Sequence, residues 1–422
     1  MQENRLLDDI LAAENLNTAY KRVKANRGSH GVDGMGVEAL LPHLKLHSAE
    51  LRQSLLDGTY RPQPVRRVEI PKPDGGVRLL GIPTVIDRMI QQAISQVLTP
   101  IYEAIFSHHS YGFRPKRSAH DAIRQAKQYM SEGYQTVVDL DLEKFFDRVN
   151  HDKLMSLLAR RISDKRVLKL IRSYLESGVM SEGLVSVTDE GTSQGGPLSP
   201  LLSNVMLDEL DKELERRGHR FCRFADDCNI YVKSKRAGDR VMKSVTEFIE
   251  RHLKLRVNRE KSAVDSPTRR KFLGFSFYRV NGKIHVRVHP KPIKRLKEKI
   301  RVATSRSNGM SMERRIYLLN NVTRGWVNYF RLANMQSHCK SLDEWMRRRL
   351  RMCYWKQWKL VRTRHKNLVR LGLSDNIAWQ YANTRKSYWR TADSQTLKYT
   401  LTNEYFHRLG LISFSEVFRL AS

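Results

Sequence analysis

The sequence predicts an α+β fold that is followed by a mostly helical, strongly basic tail. Segments with strand-like and helical periodicity alternate between residues 135 and 265, as expected when a sheet packs against helices. Residues 65–83 form a hairpin pattern around Asp74-Gly75-Gly76, with basic residues on both arms. Pro290 and Pro292 then precede the helical tail. These observations together define the predicted fold class.

The remaining elements follow from local periodicity. Apolar residues from Leu6 to Val23 recur at helical spacing until the glycine-rich segment 28–34 interrupts them. Two further helices are expected over 84–104 and 118–131, and a second β-like stretch over 272–288. We therefore expect three regions, with the bounds 1–60, 61–288 and 289–422.

Composition narrows the class of protein. With 422 residues, 40% hydrophobic and 28% charged, the chain fits a soluble globular protein of two or three domains. No apolar run reaches the roughly 18 residues of a membrane span, and the first residues lack a secretory signal pattern. Four cysteines without zinc-type pairing are expected to be reduced, buried thiols, at positions 222, 228, 339 and 353. We expect no membrane partner and a cytoplasmic location.

The charge is extreme, at +32 with a pI of about 10.2. Residues 289–422 hold 28 Lys and Arg against 8 Asp and Glu, and all 6 tryptophans, which favours nucleic-acid binding. The alternative, a membrane-surface helix, needs one concentrated amphipathic face. On a helix, Arg347 and Arg351 share a face while Leu350 and Tyr354 share another, so we expect these arginines to contact phosphates.

Two acidic clusters carry the chemistry. Asp226 and Asp227 lie between strand-like segments, where like charges repel and resist burial unless cations neutralise them. Upstream, an apolar strand acquires Asp139 and Asp141, which are two apart and so share a face, and Asp147. Taken singly, each could be an exposed acidic turn or a helix N-cap. Carboxylates from two hairpins around a pair of Mg²⁺ ions would build a palm-type nucleic-acid polymerase.

The chain resembles the reverse transcriptase–maturases encoded by bacterial group II introns, especially the short forms of class C introns. The resemblance covers nearly the whole chain in the family's order and rests on several blocks in register. These include RRVEIPKPDGGVRLLGIP at 66–83, SYGFRPKRSAHDAI at 110–123, VVDLDLEKFFDRVNHDKLM at 137–155, SQGGPLSPLLSNVMLDELDKELERRG at 193–218, FCRFADDCNIYVKS at 221–234, FLGFSF at 272–277, RGWVNYFR at 324–331 and RRRLRMCYWKQWK at 347–359.

The resemblance implies roles for individual residues. Asp141, Asp226 and Asp227 would hold two Mg²⁺ ions, since Asp141 lies five residues before the aromatic Phe146. Phe146 would press on the C2′ position of the incoming sugar and exclude ribonucleotides. Other residues would bind the deoxynucleoside triphosphate (dNTP), namely Lys72, Arg78, Gln194, Gly195, Gly196 and Lys261. Nucleic acid would be bound by Arg114, Arg347 and Arg351.

The resemblance also implies a right-hand polymerase architecture. Residues 1–60 would extend the fingers, 61–288 would form fingers and palm with an antiparallel sheet, and 289–422 would form the helical thumb or maturase domain. Two departures stand out, Phe224 where the family has Tyr and Ser193 where it has Pro. The chain ends soon after the thumb, so we expect a short form without an endonuclease domain.

The leading hypothesis is an RNA-directed DNA polymerase that extends a DNA primer on an RNA or DNA template. The resemblance adds group II intron RNA as a partner, a role in splicing and retrohoming, and association with the nucleoid when DNA is the substrate. Two alternatives stay open. One is a splicing cofactor whose main role is RNA binding, and the other is a relative recruited to a host role such as DNA repair.

Overall fold

The computed structural model describes residues 5–71, 75–181, 184–186, 190–191 and 195–421. Contacts divide the chain into a first unit, residues 1–266, and a second unit, residues 267–422. The sequence predicts the second boundary at 288/289. The structure instead groups the 275–288 hairpin with the helical unit, because Phe275 stacks on Tyr329 at 5.7 Å and contacts Phe330 at 5.0 Å between ring centroids.

The first unit contains both helices and strands. Its helices are α1 Leu6–Ile10, α2 Ala13–Asn26, α3 Leu40–Leu56, α4 Val85–Glu103, α5 Ala119–Ser131, α6 His151–Ala159, α7 Lys165–Glu176, α8 Ser199–Arg216 and α9 Lys235–His252. Short 3₁₀ turns occupy Val37–Ala39 and Phe145–Asp147. Its strands are β1 Val65–Pro71, β2 Val77–Ile82, β3 Thr136–Leu140, β4 Val179–Ser181, β5 Leu184–Ser186, β6 Arg220–Phe224, β7 Asp227–Val232 and β8 Ala263–Asp265.

Two sheets organise this unit. An antiparallel sheet has the order β6-β7-β3-β8, and the helices α5, α8 and α9 pack on it. The other sheet has the order β2-β1-β4-β5, in which β1 and β2 form the predicted antiparallel hairpin. The predicted α+β class and the antiparallel sheet are thus confirmed.

Local signals explain where two predicted helices begin. Helix α4 starts after Thr84, whose side chain accepts a hydrogen bond from the Asp87 N–H. Helix α5 starts after Ser118, which forms a capping box with Asp121. Both helices then bury an apolar stripe in the core. The expected helices over 84–104 and 118–131 are therefore confirmed.

The second unit is a hairpin followed by helices, as predicted for a mostly helical tail. The strands are β9 Phe275–Val280 and β10 Lys283–Val288. The helices are α10 Pro290–Ala303, α11 Met312–Phe330, α12 Gln336–Gln357, α13 Val361–Arg370, α14 Asp375–Ala382, α15 Tyr388–Thr391, α16 Gln395–Thr400, α17 Asn403–Arg408 and α18 Phe414–Ala421. Helix α12 packs against α15 and α18, so it lies in the interior of this unit.

Two expectations from composition can be compared with the structure. All four cysteines are free and buried, as predicted. Among the residues that the structure describes, no helix combines the length and apolar character needed to cross a membrane.

Candidate active site

The turn between β6 and β7 presents the acidic pair. Phe224 pairs with Asp227 across the hairpin, so Ala225 and Asp226 form a two-residue turn. Ala225 adopts a φ of 57°, and a positive φ at this position is typical of turns whose twist matches that of the flanking strands. Asp227 is exposed and Asp226 is half-buried. The turn thus places two carboxylates at one end of the central strands.

The sheet register brings Asp141 to the same end. Strand β3 pairs with β7 from Thr136↔Val232 to Leu140↔Cys228. Asp141 and Asp227 are therefore the residues that directly adjoin the last pair of this ladder. Asp139 instead lies within the strand, opposite Asn229. The ladder therefore ends with Asp141 and Asp227 at the same edge of the sheet, and Asp139 lies two residues further back along β3.

A lysine accompanies Asp141. The Lys261 Nζ lies 3.6 Å from the Asp141 Oδ2. The segment that carries Lys261 also holds the Asp141 backbone, since the Asp141 N–H donates to the Ser262 Oγ at 3.0 Å and the Asn258 N–H donates to the Asp141 carbonyl at 2.8 Å. A cationic group thus lies beside the first predicted metal ligand.

The donor set suits a hard divalent cation. Carboxylate oxygens are the ligands such ions prefer, and Mg²⁺ is usually bound by one or two carboxylates together with substrate phosphates. In the described part of the chain, no three His, Cys, Asp or Glu side chains group closely enough to enclose a metal ion. The protein therefore offers an open carboxylate edge, which phosphate oxygens of a substrate would complete.

A buried ion pair that sequence reasoning missed anchors this edge. Arg223 on β6 is 1% exposed and Asp211 on α8 is fully buried. The Arg223 Nε and Nη2 donate to the two Asp211 carboxylate oxygens at 2.7 and 2.6 Å. Burial raises the pKa of the Asp211 carboxyl, and the adjacent Arg223 guanidinium opposes that rise. A lone arginine in an apolar strand signals such a pair, but its spacing does not name the partner.

The same guanidinium also holds the acidic turn. Its Nη1 donates to the Ala225 carbonyl at 2.9 Å and to the Asn204 Oδ1 at 3.0 Å, and its Nη2 donates to the Ser110 Oγ at 2.8 Å. The turn that carries Asp226 and Asp227 is therefore fixed from inside the fold, by groups on α8 and on the loop before α5.

That loop also touches the turn directly. A Cβ on Gly112 would lie 2.2 Å from the Ala225 nitrogen, so only glycine permits this approach. The Gly112 carbonyl accepts a hydrogen bond from the Asn204 Nδ2 at 2.9 Å. The segment 110–115 is thus a rigid neighbour of the acidic turn.

Phe146 lies at a cavity wall. It belongs to the 3₁₀ turn that follows Asp141, and its ring meets that of buried Phe145 edge-on at 5.2 Å. Phe146 lines a cavity of about 240 Å³ together with Gly81, Glu190 and Gly191. Of the two adjacent phenylalanines, Phe146 is therefore the one whose ring borders open space.

The other predicted dNTP residues are only partly visible. Lys72, Gln194 and the departure at Ser193 lie outside the described residues, and only the backbone of Arg78 is described, opposite Ile70 in the hairpin. Gly195 has a φ of +138°, and a Cβ there would lie 2.7 Å from the Gly81 carbonyl oxygen. Gly196 is buried. The close approach at Gly195 is thus to the hairpin strand β2.

The expectation that Arg114 binds nucleic acid needs correction. Arg114 is 8% exposed. Its Nε and Nη2 donate to the Glu103 carboxylate at 2.9 Å each, and its Nη1 donates to the Ser110 carbonyl at 3.0 Å and to that of Ser107. Because burial and internal acceptors occupy the guanidinium, Arg114 braces its own loop and does not face a phosphate.

The arginines of α12 differ in how far they are buried and in what they contact. Arg351 is 7% exposed and donates to the Leu401 carbonyl at 3.1 Å. Burial, and then the charge of Arg347, lower its pKa to about 10. Arg348 stacks on Trp389 at 4.0 Å from the ring centroid, and Arg349 donates to the Thr304 Oγ1 at 2.5 Å. Arg348, Arg349 and Arg351 thus each make contacts within the second unit.

Arg347 is the exception. It is half-exposed and, in the described part of the chain, makes no hydrogen bond or ion pair. It borders an open groove of about 750 Å³ with Trp345, Arg348 and Lys398. Of the two arginines predicted to contact phosphate, Arg347 is the more exposed, and Arg351 borders the same groove with a guanidinium that already donates to the Leu401 carbonyl.

Two regions of this chain match the models of known protein families. The family model of the reverse transcriptase (RNA-dependent DNA polymerase) matches residues 70–277, and that of the group II intron maturase-specific domain matches residues 293–372. Domains of these two families bind nucleic acids, and reverse transcriptase domains use divalent metal ions. Neither these matches nor the relatives below favour a host repair role.

Two curated proteins and one solved structure are similar to this chain over different lengths. Protein YkfC of Escherichia coli (strain K12) is 36% identical over 300 residues, covering 62% of this chain and 79% of that protein. Group II intron-encoded protein LtrA of Lactococcus lactis subsp. cremoris is 38% identical over 216 residues, covering 49% of this chain but only 35% of that protein. A chain of the solved partial Cas6-RT-Cas1--Cas2 complex has 27% identity and a TM-score of 0.38, covering 58% of this chain and 42% of that one.

The family predicted from the motifs is therefore confirmed. The polymerase domain and the maturase domain follow each other in the predicted order, and the carboxylate edge lies within the polymerase match. The chain belongs to the group II intron-encoded reverse transcriptases, RNA-directed DNA polymerases that carry a maturase domain.

Proposed function

We propose that this protein adds deoxynucleotides to the 3′ end of a primer paired with an RNA or DNA template, using two Mg²⁺ ions held by Asp141, Asp226 and Asp227. The observation that supports the proposal is that the β3–β7 ladder ends at Leu140↔Cys228, so that Asp141 and Asp227 each adjoin its last pair. Mg²⁺ bound there would supply activation of the primer 3′-hydroxyl and stabilisation of the departing pyrophosphate.

The residues around this edge then divide the task of holding the nucleotide. The Lys261 ammonium, 3.6 Å from the Asp141 carboxylate, is placed to bind the triphosphate once Asp141 has a metal partner. Lys72 and Arg78 on the β1–β2 hairpin would grip the same triphosphate through charge-assisted hydrogen bonds. Gln194, Gly195 and Gly196 would line the nucleotide pocket.

Phe146 sets the sugar specificity in this proposal. Its ring borders the cavity between the 3₁₀ turn and the strand β2, and buried Phe145 supports it from behind. A ring fixed in this way excludes a 2′-hydroxyl by bulk. The proposal therefore assigns deoxynucleotide selection to steric contact and not to a hydrogen bond.

We further propose that the second unit binds group II intron RNA and assists splicing and retrohoming. The maturase match and the excess of 28 Lys and Arg over 8 Asp and Glu in residues 289–422 support this role. In this proposal the protein works in the bacterial cytoplasm, at the nucleoid when DNA is its substrate.

Primer extension tests the polymerase proposal. Purified protein is given labelled primer on RNA and on DNA templates, with dNTPs, in Mg²⁺ and in excess chelator. We expect extension on both templates in Mg²⁺ alone, and its loss in Asp227→Asn. The matched control is Asp239→Asn, because Asp239 is an exposed carboxylate on α9. Extension by Asp227→Asn at the wild-type rate would refute the metal assignment.

The same variant separates the two roles. Asp227→Asn should keep its affinity for intron RNA within several-fold, because that affinity comes from the distributed basic surface. If wild-type protein binds intron RNA and promotes splicing but extends no primer on either template, the protein is a splicing cofactor, and the polymerase proposal fails.

A further inference from the structure

Phe113 combines three properties rarely found together. It adopts a φ of 59°, a left-handed conformation that bulky residues seldom take, and 52% of its surface is exposed. It also follows Gly112 directly, the residue whose backbone abuts the Ala225 nitrogen of the catalytic turn. A strained, exposed aromatic residue thus directly follows the residue that contacts the acidic turn.

The surrounding loop is built to keep that conformation. On one side, the Gly112 carbonyl is held by Asn204 and the Tyr111 N–H donates to the Arg223 carbonyl at 2.8 Å. On the other side, Arg114 ties the loop to Glu103. Strained backbone persists only where its surroundings over-determine it, and it clusters at functional sites. Buried hydrogen bonds on both sides of Phe113 therefore hold the loop in the conformation that leaves its ring exposed.

The space in front of the ring suits a nucleotide. Phe113 borders an open groove of about 570 Å³ whose other walls carry Asn15, Arg22 and Gln96. Arg22 is exposed, and in the described part of the chain it makes no hydrogen bond or ion pair. The Asn15 and Gln96 amides are hydrogen-bonded to each other and to backbone carbonyls, and Glu14 also lines the groove. An aromatic face beside an exposed arginine is an arrangement with which proteins bind nucleotides of a single strand.

We propose that Phe113 is a stacking platform for one unpaired nucleobase of the bound primer–template, with Arg22 facing the adjacent phosphate. The inference rests on the proposed polymerase function, because it takes the neighbouring carboxylate turn as the place where the primer ends. The shared chemistry is a nucleobase, which either the template strand or the primer strand could supply.

Three substitutions at one position isolate stacking. Phe113→Tyr keeps the aromatic face, Phe113→Leu keeps bulk and backbone strain without the face, and Phe113→Gly removes both the face and the strain. We expect Phe113→Leu and Phe113→Gly to weaken primer–template affinity about 5- to 100-fold, the loss typical of one base–aromatic stack. Phe113→Tyr should remain within about twofold of wild type on the same scale. Fluorescence anisotropy of a labelled primer–template measures each affinity.

The Tm of the glycine variant separates binding from packing. Glycine accepts a positive φ without strain, so Phe113→Gly should have a Tm equal to or above that of the wild type while binding poorly. If Phe113→Gly instead lowers the Tm and leaves affinity unchanged, the ring is a packing element and the proposal is overturned.

Photocrosslinking identifies which strand supplies the base. 5-Iodouracil is placed in the template strand in one arm and in the primer strand in the other, and crosslinked residues are mapped by mass spectrometry. We expect one arm to crosslink at Phe113, and the arm that does so names the strand. Absence of a Phe113 crosslink in both arms, with wild-type affinity in Phe113→Leu, would overturn the proposal.

These readouts do not depend on catalysis. If the wild-type chain binds primer–template but fails to extend it, the polymerase proposal fails while the affinities still decide the role of Phe113. If extension is normal and the Phe113 variants bind like wild type, only the stacking proposal fails.

Discussion

The β6–β7 turn and the helix α12 each carry several residues of like charge close together, but the two elements differ in how far those charges are exposed. In the turn, Asp227 is exposed and Asp226 is half-buried at the end of the sheet. In α12, Arg351 is buried and Arg348 and Arg349 contact groups of the second unit. A run of like charges in the sequence thus forms an open acidic edge in the first unit, whereas in the second unit the arginines make contacts within the fold.

The difference follows from how each element is covered. The tight turn lies at the end of the sheet, where Asp227 belongs to the last pair, Phe224↔Asp227, and Asp226 lies beyond it. Side chains at such an end have neighbours on fewer sides than those inside the sheet. A helix has faces all round, and α12 packs against both α15 and α18. Long arginine side chains can then be buried along their stems while their donors reach backbone carbonyls or aromatic rings. Charge density alone does not indicate exposure on such a helix.

Two buried arginines sharpen the contrast. Arg223 has a carboxylate partner, Asp211, at 2.6 and 2.7 Å. Arg351 donates to the Leu401 carbonyl and lies over the Phe406 ring at 6.0 Å. Removing the first leaves a buried negative charge behind, and removing the second does not. The two positions should therefore respond very differently to the same substitution.

The largest effect is expected at the acidic edge. Asp141→Asn should lower the single-turnover rate of primer extension by at least about a thousandfold, since a metal contact is worth several kcal/mol in the transition state. Asp139→Asn should lower it less than about tenfold on the same scale, because Asp139 lies opposite Asn229 and away from Asp227. Equal losses in both variants would show that the register does not select Asp141.

The next effect concerns stability. Arg223→Met should lower the free energy of unfolding of the first unit by about 3–5 kcal/mol, because Asp211 would remain buried and unpaired. Arg351→Met should cost the second unit no more than about 1 kcal/mol, the worth of one hydrogen bond. Urea unfolding followed by hydrogen exchange reports each unit separately.

A double variant completes that test. Arg223→Met combined with Asp211→Leu should recover most of the lost stability, because no buried charge remains. Its turn would lack the hydrogen bond to the Ala225 carbonyl, so extension should stay impaired even though the fold is restored. Full recovery of extension in the double variant would mean that Arg223 does not position the turn.

Sugar selection should change by a smaller factor. Phe146→Val should reduce the preference for deoxynucleotides over ribonucleotides by roughly 10- to 100-fold, the range that steric discrimination by a small difference in bulk allows. Phe145→Leu is the matched control, because Phe145 is buried next to Phe146. The ratio of kcat/KM for each nucleotide pair measures the effect, and an unchanged ratio in Phe146→Val would place another residue at the sugar.

The smallest effect distinguishes the two arginines of α12. Arg347→Gln should flatten the slope of log affinity for intron RNA against log salt by about 0.7, the value of one phosphate contact on a single strand. Arg351→Gln should flatten the slope less, because Arg351 is 7% exposed and its guanidinium already donates to the Leu401 carbonyl. Equal flattening in both would mean that α12 exposes Arg351 when RNA binds.

Much of the site could be read from residue order. The strand period of two residues and the tight spacing of the acidic turn predict that carboxylates gather at one end of a sheet, and the hairpin around 74–76 and the helices α4 and α5 follow from turn and capping residues. These features depend on neighbours in the chain, so local chemistry is enough to predict them.

The contacts that make the site rigid depend on residues far apart in the chain. Arg223 meets Asp211, Asn204 and Ser110 because α8 and the loop before α5 pack on β6. The burial of Arg114 and Arg351 and the exposure of Phe113 likewise depend on which elements surround these residues. Sequence order and composition therefore establish which charges and rings this protein has and which elements carry them. Packing decides whether each one faces water, because a side chain is buried only when distant segments fold over it.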